Sequence, residues 1–157
     1  MTRGLATPLD RTFACLPYLL PLIESMAFAA PILSQFPLFG VIFIPILPFI
    51  QLYSTIPFAG LIVFFGLYLG VVRNEQISHF IRFNTMQALL IDIALVLVSL
   101  VLSVLGPALG GGLLLETVMN VAFLGTLVAV GYSVIQSIRG LYAEIPTISE
   151  AVHMQVR

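Results

Sequence analysis

Asp92 is the residue whose chemistry demands most of its surroundings. Ser78, Thr85, Asp92 and Ser99 recur every seven residues, and Ala88 and Ser103 fall on the same stripe. In a helix that spacing gathers them on one small, polar face. The residues around Asp92 are apolar, and 93–115 holds no Asp, Glu, Lys or Arg. Twelve residues into a spanning helix, a side chain lies ~18 Å from the helix start, near mid-bilayer. A charge at that depth costs at least ~2.5–3.5 kcal/mol on insertion scales, so Asp92 must face protein or water. Two chemistries fit. One is a hydrophilic groove in which Asp92 is a proton- or cation-linked carboxylate. The other is an interhelical hydrogen-bonding seam in which a protonated Asp92 is structural.

Other polar positions suggest architecture rather than reaction. Glu116 and Asn120, one turn apart, suit the start of a helix, where carboxylates are favoured. Ala122, Thr126, Ala129, Ser133, Ser137 and Gly140 form a small-residue face that lets helices approach closely. Gly66 and Gly70 have the four-residue helix-dimer spacing. His79 beside Arg82, and His153 near the end, lack a second nitrogen, thiolate or carboxylate at ligand spacing, so no metal site is expected. Cys15 stands alone in apolar context and reads as packing. There is no phosphate-binding loop, no HExxH, no G-x-S-x-G and no catalytic carboxylate pair. The chain is expected to be no enzyme, to need no cofactor, and to have no catalytic residue.

The elements that hold these residues follow from composition. Of 157 residues, 60% are hydrophobic and 8% charged. A water-soluble domain carries roughly a quarter charged residues, so lipid must solvate much of this surface. The stretches 25–72, 93–115 and 117–138 contain no charged residue, and a spanning helix needs roughly 20 apolar residues. The fold class is therefore an all-α integral membrane protein, a single domain over 1–157. Residues 115–138 form a span stopped at Arg139-Gly140. Residues 80–105 form another, closed by Gly106-Pro107 and the glycines 110–112. Residues 57–72 form a short third, with Pro57 in its first turn.

The first span has two candidates, 12–33 and 38–53. Eight of the ten prolines lie in residues 1–57, and proline disrupts helix interiors. At 100° per residue, Phe13, Cys15, Leu16, Leu19, Leu20, Leu22, Ile23 and Met26 share one side of the first candidate. Ala14, Pro17, Tyr18, Pro21, Glu24 and Ser25 share the other. That amphipathic pattern predicts an interfacial helix over about 12–30 and favours 38–53 as the span. Arginine placement supports this count. Arg3 and Arg11 precede the first span, Arg73 and Arg82 flank the second loop, and Arg139 and Arg157 follow the last. Four spans put all six arginines on one side, with both termini inside; five would split them two against four. Six arginines scattered along a chain of net charge −1 make nucleic acid no partner.

Several stretches resemble the Tic-twenty family, the twenty-kilodalton membrane subunit of the chloroplast inner-envelope protein translocon. They are FACLPYLLPLIE (13–24), YSTIPFAGLIVFFGLYLGVVRN (53–74), FIRFNTMQALLIDI (80–93) and the tail 131–157. The most specific parts are VVRN, ending in Arg73 and Asn74, the block carrying Arg82, Asn84 and Gln87, and the terminal QVR. The resemblance implies four membrane helices with both ends facing stroma or cytoplasm, and a part in conducting proteins across the membrane. It implies partners among other membrane subunits, or further copies of this chain, and translocating polypeptides. The N-terminus shows neither a secretory signal nor a transit peptide. With the resemblance, this points to a cyanobacterial or plastid-encoded type, in a cyanobacterial plasma or thylakoid membrane or the plastid inner envelope. The family supplies no catalytic or binding residue to carry over.

Physics limits that role. Four helices of ~10 Å diameter pack around side chains and leave no lumen for a polypeptide, so a conduit needs several copies or partner subunits. A small-solute or ion permease using Asp92 and a scaffold for membrane complexes are the competing readings.

Overall fold

The computed structural model describes residues 5–157, and every regular element among them is helical; Arg3 lies outside the described residues. Helix α1 (Pro8–Cys15), a tight 3-10 turn at Leu16–Tyr18, α2 (Leu19–Glu24), a second such turn at Ser25–Phe28, and α3 (Ala30–Gln35) follow without a break in handedness. They make one irregular helical run over 8–35. Its start is fixed by a capping box: Thr7 accepts from the Asp10 amide at 3.1 Å while Asp10 accepts from the Thr7 amide at 3.0 Å. Its irregularity has a cause, since Pro17, Pro21 and Pro31 each remove a backbone donor that a regular helix would use.

A second run doubles back from Phe36. Pro37–Ile46 is a 3-10 helix of ten residues, far longer than such geometry usually persists; Pro37 and Pro45 within it, and Pro48 after it, disfavour the wider helix. Helix α4 (Leu47–Thr55) follows. The chain then breaks: Ile56, before Pro57, is extended, and Phe58 is left-handed with φ 57°. Pro57 thus lies in the break ahead of the next helix rather than in its first turn. Helix α5 (Ala59–Leu67) ends in a wide turn over Tyr68–Val72.

Two long helices form the frame, α6 (His79–Leu109) and α7 (Leu113–Ile138), followed by the short α8 (Ile148–Gln155). Together with residues 37–55, these two are long and apolar enough to cross a membrane, and Ala59–Val72 is a shorter apolar helix. The chain is an integral, multi-pass membrane protein. One boundary differs from the sequence reading. Helix α6 continues through Gly106-Pro107 and stops at Gly110, whose φ of 66° suits a helix C-terminus. A proline three residues from the end removes a single backbone bond, which the last turn tolerates.

The expected separate helix over 12–30 is instead packed lengthwise against α6 and α7. Arg11 reaches the Ile138 carbonyl at 3.4 Å, Tyr18 meets Asn84, and Phe28 and Ile32 pack with Leu95 and Phe123. The wheel pattern explains the difference. Ala14, Pro17, Tyr18, Pro21 and Ser25 are buried, whereas Phe13 and Leu16 are exposed. The polar side of this helix faces protein; its apolar side is divided, with Phe13 and Leu16 exposed but Leu20 buried in the core. The second run folds onto the first: Phe43 stacks on Phe123 with ring centroids 5.8 Å apart, and Tyr53 reaches Glu24. Outward residues such as Val104 and Val128, 75% and 72% exposed, give the bundle the apolar exterior that lipid requires.

Candidate functional site: a polar seam between the helices

The polar residues of α6 divide the bundle by depth. At the N-terminal end of α6, Arg82 is buried; its Nε donates to the Val72 carbonyl at 2.9 Å and Nη1 to the Arg157 carbonyl at 3.2 Å. It thereby neutralises the carbonyl end of the second run, where a cation is favoured. Arg11 does the same for α7, bonding the Ile138 carbonyl and lying against Gly140, where a Cβ would meet its Nε at 2.9 Å. Gly140 also has φ 76°, a left-handed backbone that favours glycine there. His79 bonds the Tyr142 hydroxyl at 2.9 Å and the Val156 carbonyl at 3.4 Å, fastening the tail beneath the bundle.

One turn deeper, Asn84 and Gln87 are fully buried and organise a closed network. The Tyr18 and Ser137 hydroxyls each donate to Asn84 Oδ1 at 2.9 Å, and Asn84 Nδ2 donates to the Phe80 carbonyl at 2.9 Å. Gln87 Nε2 donates to Tyr18 at 3.3 Å and Ser133 at 3.1 Å, while Gln87 Oε1 accepts from Ser149 at 3.0 Å. Ser149 in turn accepts from the Ile145 amide at 2.6 Å. Five segments meet here: the first run, α6, α7, the loop after α7, and α8. Every member is neutral and hydrogen-bonded across segments, so the network holds helices together. It is a clasp.

Near mid-depth the seam changes character. Asp92 is 4% exposed, and its Oδ1 is buried without a hydrogen-bond partner. Glu24, on the first run, accepts a hydrogen bond from the Tyr53 hydroxyl. Gly60 on α5 seals this spot, since a Cβ there would lie 2.6 Å from the Tyr53 oxygen and 2.8 Å from Glu24 Oε1. A cavity of about 130 Å³ beside it is lined by Glu24, Phe28, Leu95 and Ser99.

The expected stripe is therefore only half continuous. Thr85 is buried and bonds the Ile81 carbonyl of its own helix at 2.8 Å, and Asp92 is buried, but Ser99 and Ser103 are exposed. Beyond Asp92 it is Leu95 that packs with Phe28 and Ile32 of the first run, and the serines of the stripe turn outward. Of the small-residue face, Thr126 and Ser133 are buried, and Ala122 and Ala129 are half-buried beneath the first run. Arg73 is exposed, and Asn74 Oδ1 accepts from the Gln76 amide at 3.0 Å, shaping the turn. Glu116 is exposed, while Asn120 Oδ1 is buried without a partner. Among the described residues no cluster of three His, Cys, Asp or Glu side chains could hold a metal. Tyr18, Glu24, Tyr53 and Ser149 are additions that the α6 stripe does not reveal. The signal for Tyr18 and Glu24 is the polar side of the 12–28 wheel, once that side is turned inward.

Comparison with known proteins covers most of this arrangement. A family profile described as "Chloroplast import apparatus Tic20-like" matches residues 8–152, which include the whole Asn84–Gln87 network through Ser149. The chain is similar to a "Tic20 family protein" of Synechocystis sp., 50% identical over 149 residues, 94% of this chain and 93% of that one. It is 35% identical over 161 residues to "Protein TIC 20-II, chloroplastic" of Arabidopsis thaliana, covering 99% of this chain and 77% of the relative. A "Tic20 family protein Ycf60" of Gracilaria tenuistipitata var. liui is 36% identical over 157 residues, covering 96% and 76%.

Proposed function

The chain belongs to the Tic20 family, and we propose on that premise that it is a membrane subunit of a machinery that moves or inserts proteins. The observation that carries this reading is the match, over nearly the whole chain, to a family described by its import apparatus. The reading includes a topology of four crossings with both termini inside. The irregular run over 8–35 leads outward, residues 37–72 return as one crossing broken at Ile56–Phe58, and α6 and α7 complete the bundle. Arg11, Arg73, Arg82, Arg139 and Arg157 then share one side, as positive-inside bias requires. This assigns the first crossing to residues 8–35 and makes 38–53 and 57–72 two halves of the second.

A single bundle is no conduit. Phe83, Leu89 and Phe123 fill its interior at 0% exposure, so a polypeptide path must form between subunits. The exposed Ser99 and Ser103 on α6 provide small residues for another membrane subunit or a second copy to approach closely. The membrane is a cyanobacterial plasma or thylakoid membrane or a plastid inner envelope.

Native mass of the gently solubilised protein tests this, combined with photo-crosslinking from Ser99 and Ser103. The expected result is a large assembly, with crosslinks to another subunit or to a polypeptide in transit. A monomer without crosslinks in native membranes overturns it. Labelling of cysteines placed near each terminus tests the topology, which fails if the two ends react from opposite sides.

A further inference from the structure

A groove of about 610 Å³ runs between the first run, helices α4 and α5, and the start of α6. Its walls are hydrocarbon. Only Tyr53 and Thr85 among the lining side chains carry a polar group, and both hydroxyls are engaged, the first by Glu24 and the second by the Ile81 carbonyl at 2.8 Å. An apolar space of this kind stays dry, and left empty it forfeits dispersion contacts along its whole lining. Leu16, Leu52 and Ile62 line it and are each more than half exposed, so it opens to the lipid around the bundle.

The dimensions select the occupant. Along the first run the groove reaches from Phe13 to Ile23, ~15 Å at helical rise. Half of a hydrocarbon core ~30 Å thick has the same length. At roughly 30 Å³ per methylene, about the share that a water molecule takes in the liquid, a chain of about 16–18 carbons needs ~500 Å³. A helix ~10 Å across would need ~1,200 Å³ over that length, about twice the space present. One acyl chain fits, and a helix of another subunit does not.

The surroundings point the same way. Protein holds the second run loosely: α4 buries no side chain and α5 only Ala59. Ile56 and Ala59, on either side of the chain break, both line the groove, so an occupant packs both halves of that run against the bundle. At the end marked by Val71 and Ile77, Arg73 is exposed and joins no ion pair among the described residues. Arg11 and Arg82 are engaged by backbone carbonyls, which leaves Arg73 to meet an anionic group at this mouth. Glu75 is exposed close by, so the mouth suits a single phosphate rather than a large negative charge.

We propose that this groove binds one glycerophospholipid, with an acyl chain between the two runs and its phosphate paired with Arg73. The bound chain supplies packing that the protein lacks and holds the second run, with its break, against α6. The site requires only that the chain lies in a bilayer, so it stands apart from the translocation role.

The chain has no tryptophan, so one introduced by substitution is a sole fluorescent reporter. Ile62→Trp places it at the rim of the groove. Val104→Trp, at a position 75% exposed, reads ordinary lipid contact. The full chain is reconstituted in phosphatidylcholine vesicles with a minor fraction of either phosphatidylglycerol or diacylglycerol, each carrying brominated acyl chains that quench tryptophan. At Val104 the two should quench alike. At Ile62 phosphatidylglycerol should be favoured roughly fivefold, the preference that one arginine near a membrane surface gives. Arg73→Gln, a change at an exposed position, should abolish that preference. Equal quenching by the two lipids at Ile62 with Arg73 in place overturns the site. Quenching at Val104 with none at Ile62 shows the groove covered by protein and overturns it as well. A preference that survives Arg73→Gln overturns the pairing of the phosphate with Arg73.

Discussion

The two levels of the α6 seam, one near its N-terminus and one at Asp92, use similar polar residues to opposite ends. At the level of Asn84 and Gln87 every donor aims at an acceptor, no member is charged, and segments from across the chain are joined. At the level of Asp92 and Glu24, the Tyr53 hydroxyl serves Glu24, and the buried Asp92 Oδ1 has no partner. A satisfied neutral network inside a membrane stabilises a single packing. An under-satisfied acidic level keeps a choice open, and such sites are typically where function concentrates. The first level resists change and the second permits it.

Replacing Gln87 with Leu should break the comparison most severely. The side chain keeps its volume, but Tyr18, Ser133 and Ser149 each lose a partner where no water can substitute. Individual interhelical bonds in bilayers average ~0.6 kcal/mol, while an orphaned buried polar group costs ~1–3 kcal/mol. A loss of about 2–3 kcal/mol is expected, measured by unfolding with a denaturing detergent in mixed micelles. A loss below ~0.5 kcal/mol would mean that the clasp does not carry stability. Tyr18→Phe should cost less, about 1 kcal/mol, because Asn84 Oδ1 retains Ser137. Combined with Ser133→Ala, its effect should depart from additivity, since both groups bond Gln87 Nε2.

How far these levels can be read from sequence depends on what each signal averages over. The long helices are legible because hydropathy sums over twenty residues: 80–105 and 115–138 differ by only a few residues from His79–Leu109 and Leu113–Ile138. Arg82, Asn84 and Gln87 stand out as a motif, and Asp92 as a charge in an apolar run. The first third is harder, because prolines convert its helices into mixed geometry that no single period describes. The wheel collects Tyr18, Glu24 and Ser25 correctly on one face but cannot tell headgroups from protein as the polar environment. Tyr53 and Ser149 are distant partners, and only the fold brings them to Glu24 and Gln87. Ser99 and Ser103 show the opposite failure. Their register is right, but at this level Leu95 takes the buried side of α6 and the serines are left exposed.

At the middle level, Tyr53→Phe should cost at most about 0.5–1 kcal/mol. It removes one hydroxyl from a site already short of donors, and the cavity beside Glu24 can supply water in its place. The contrast with Tyr18→Phe is informative because the chemical change is the same at both levels. If Tyr53→Phe proves as costly as Gln87→Leu, the middle level is a structural clasp as well, and the distinction between the two levels fails.

The smallest effect on the isolated chain is expected from Ser103→Leu. Ser103 is exposed, and its hydroxyl bonds only the Leu100 carbonyl of its own helix at 2.7 Å, so a change within ~0.5 kcal/mol is expected. In native membranes the same substitution should act differently. A leucine side chain on the outer stripe of α6 would hold a neighbouring helix away from positions that serine lets it approach. The expected result is an unchanged unfolding midpoint together with a reduced native mass. If both quantities stay unchanged, the exposed half of the stripe faces lipid alone, and the subunit contact must be sought on another face of the bundle.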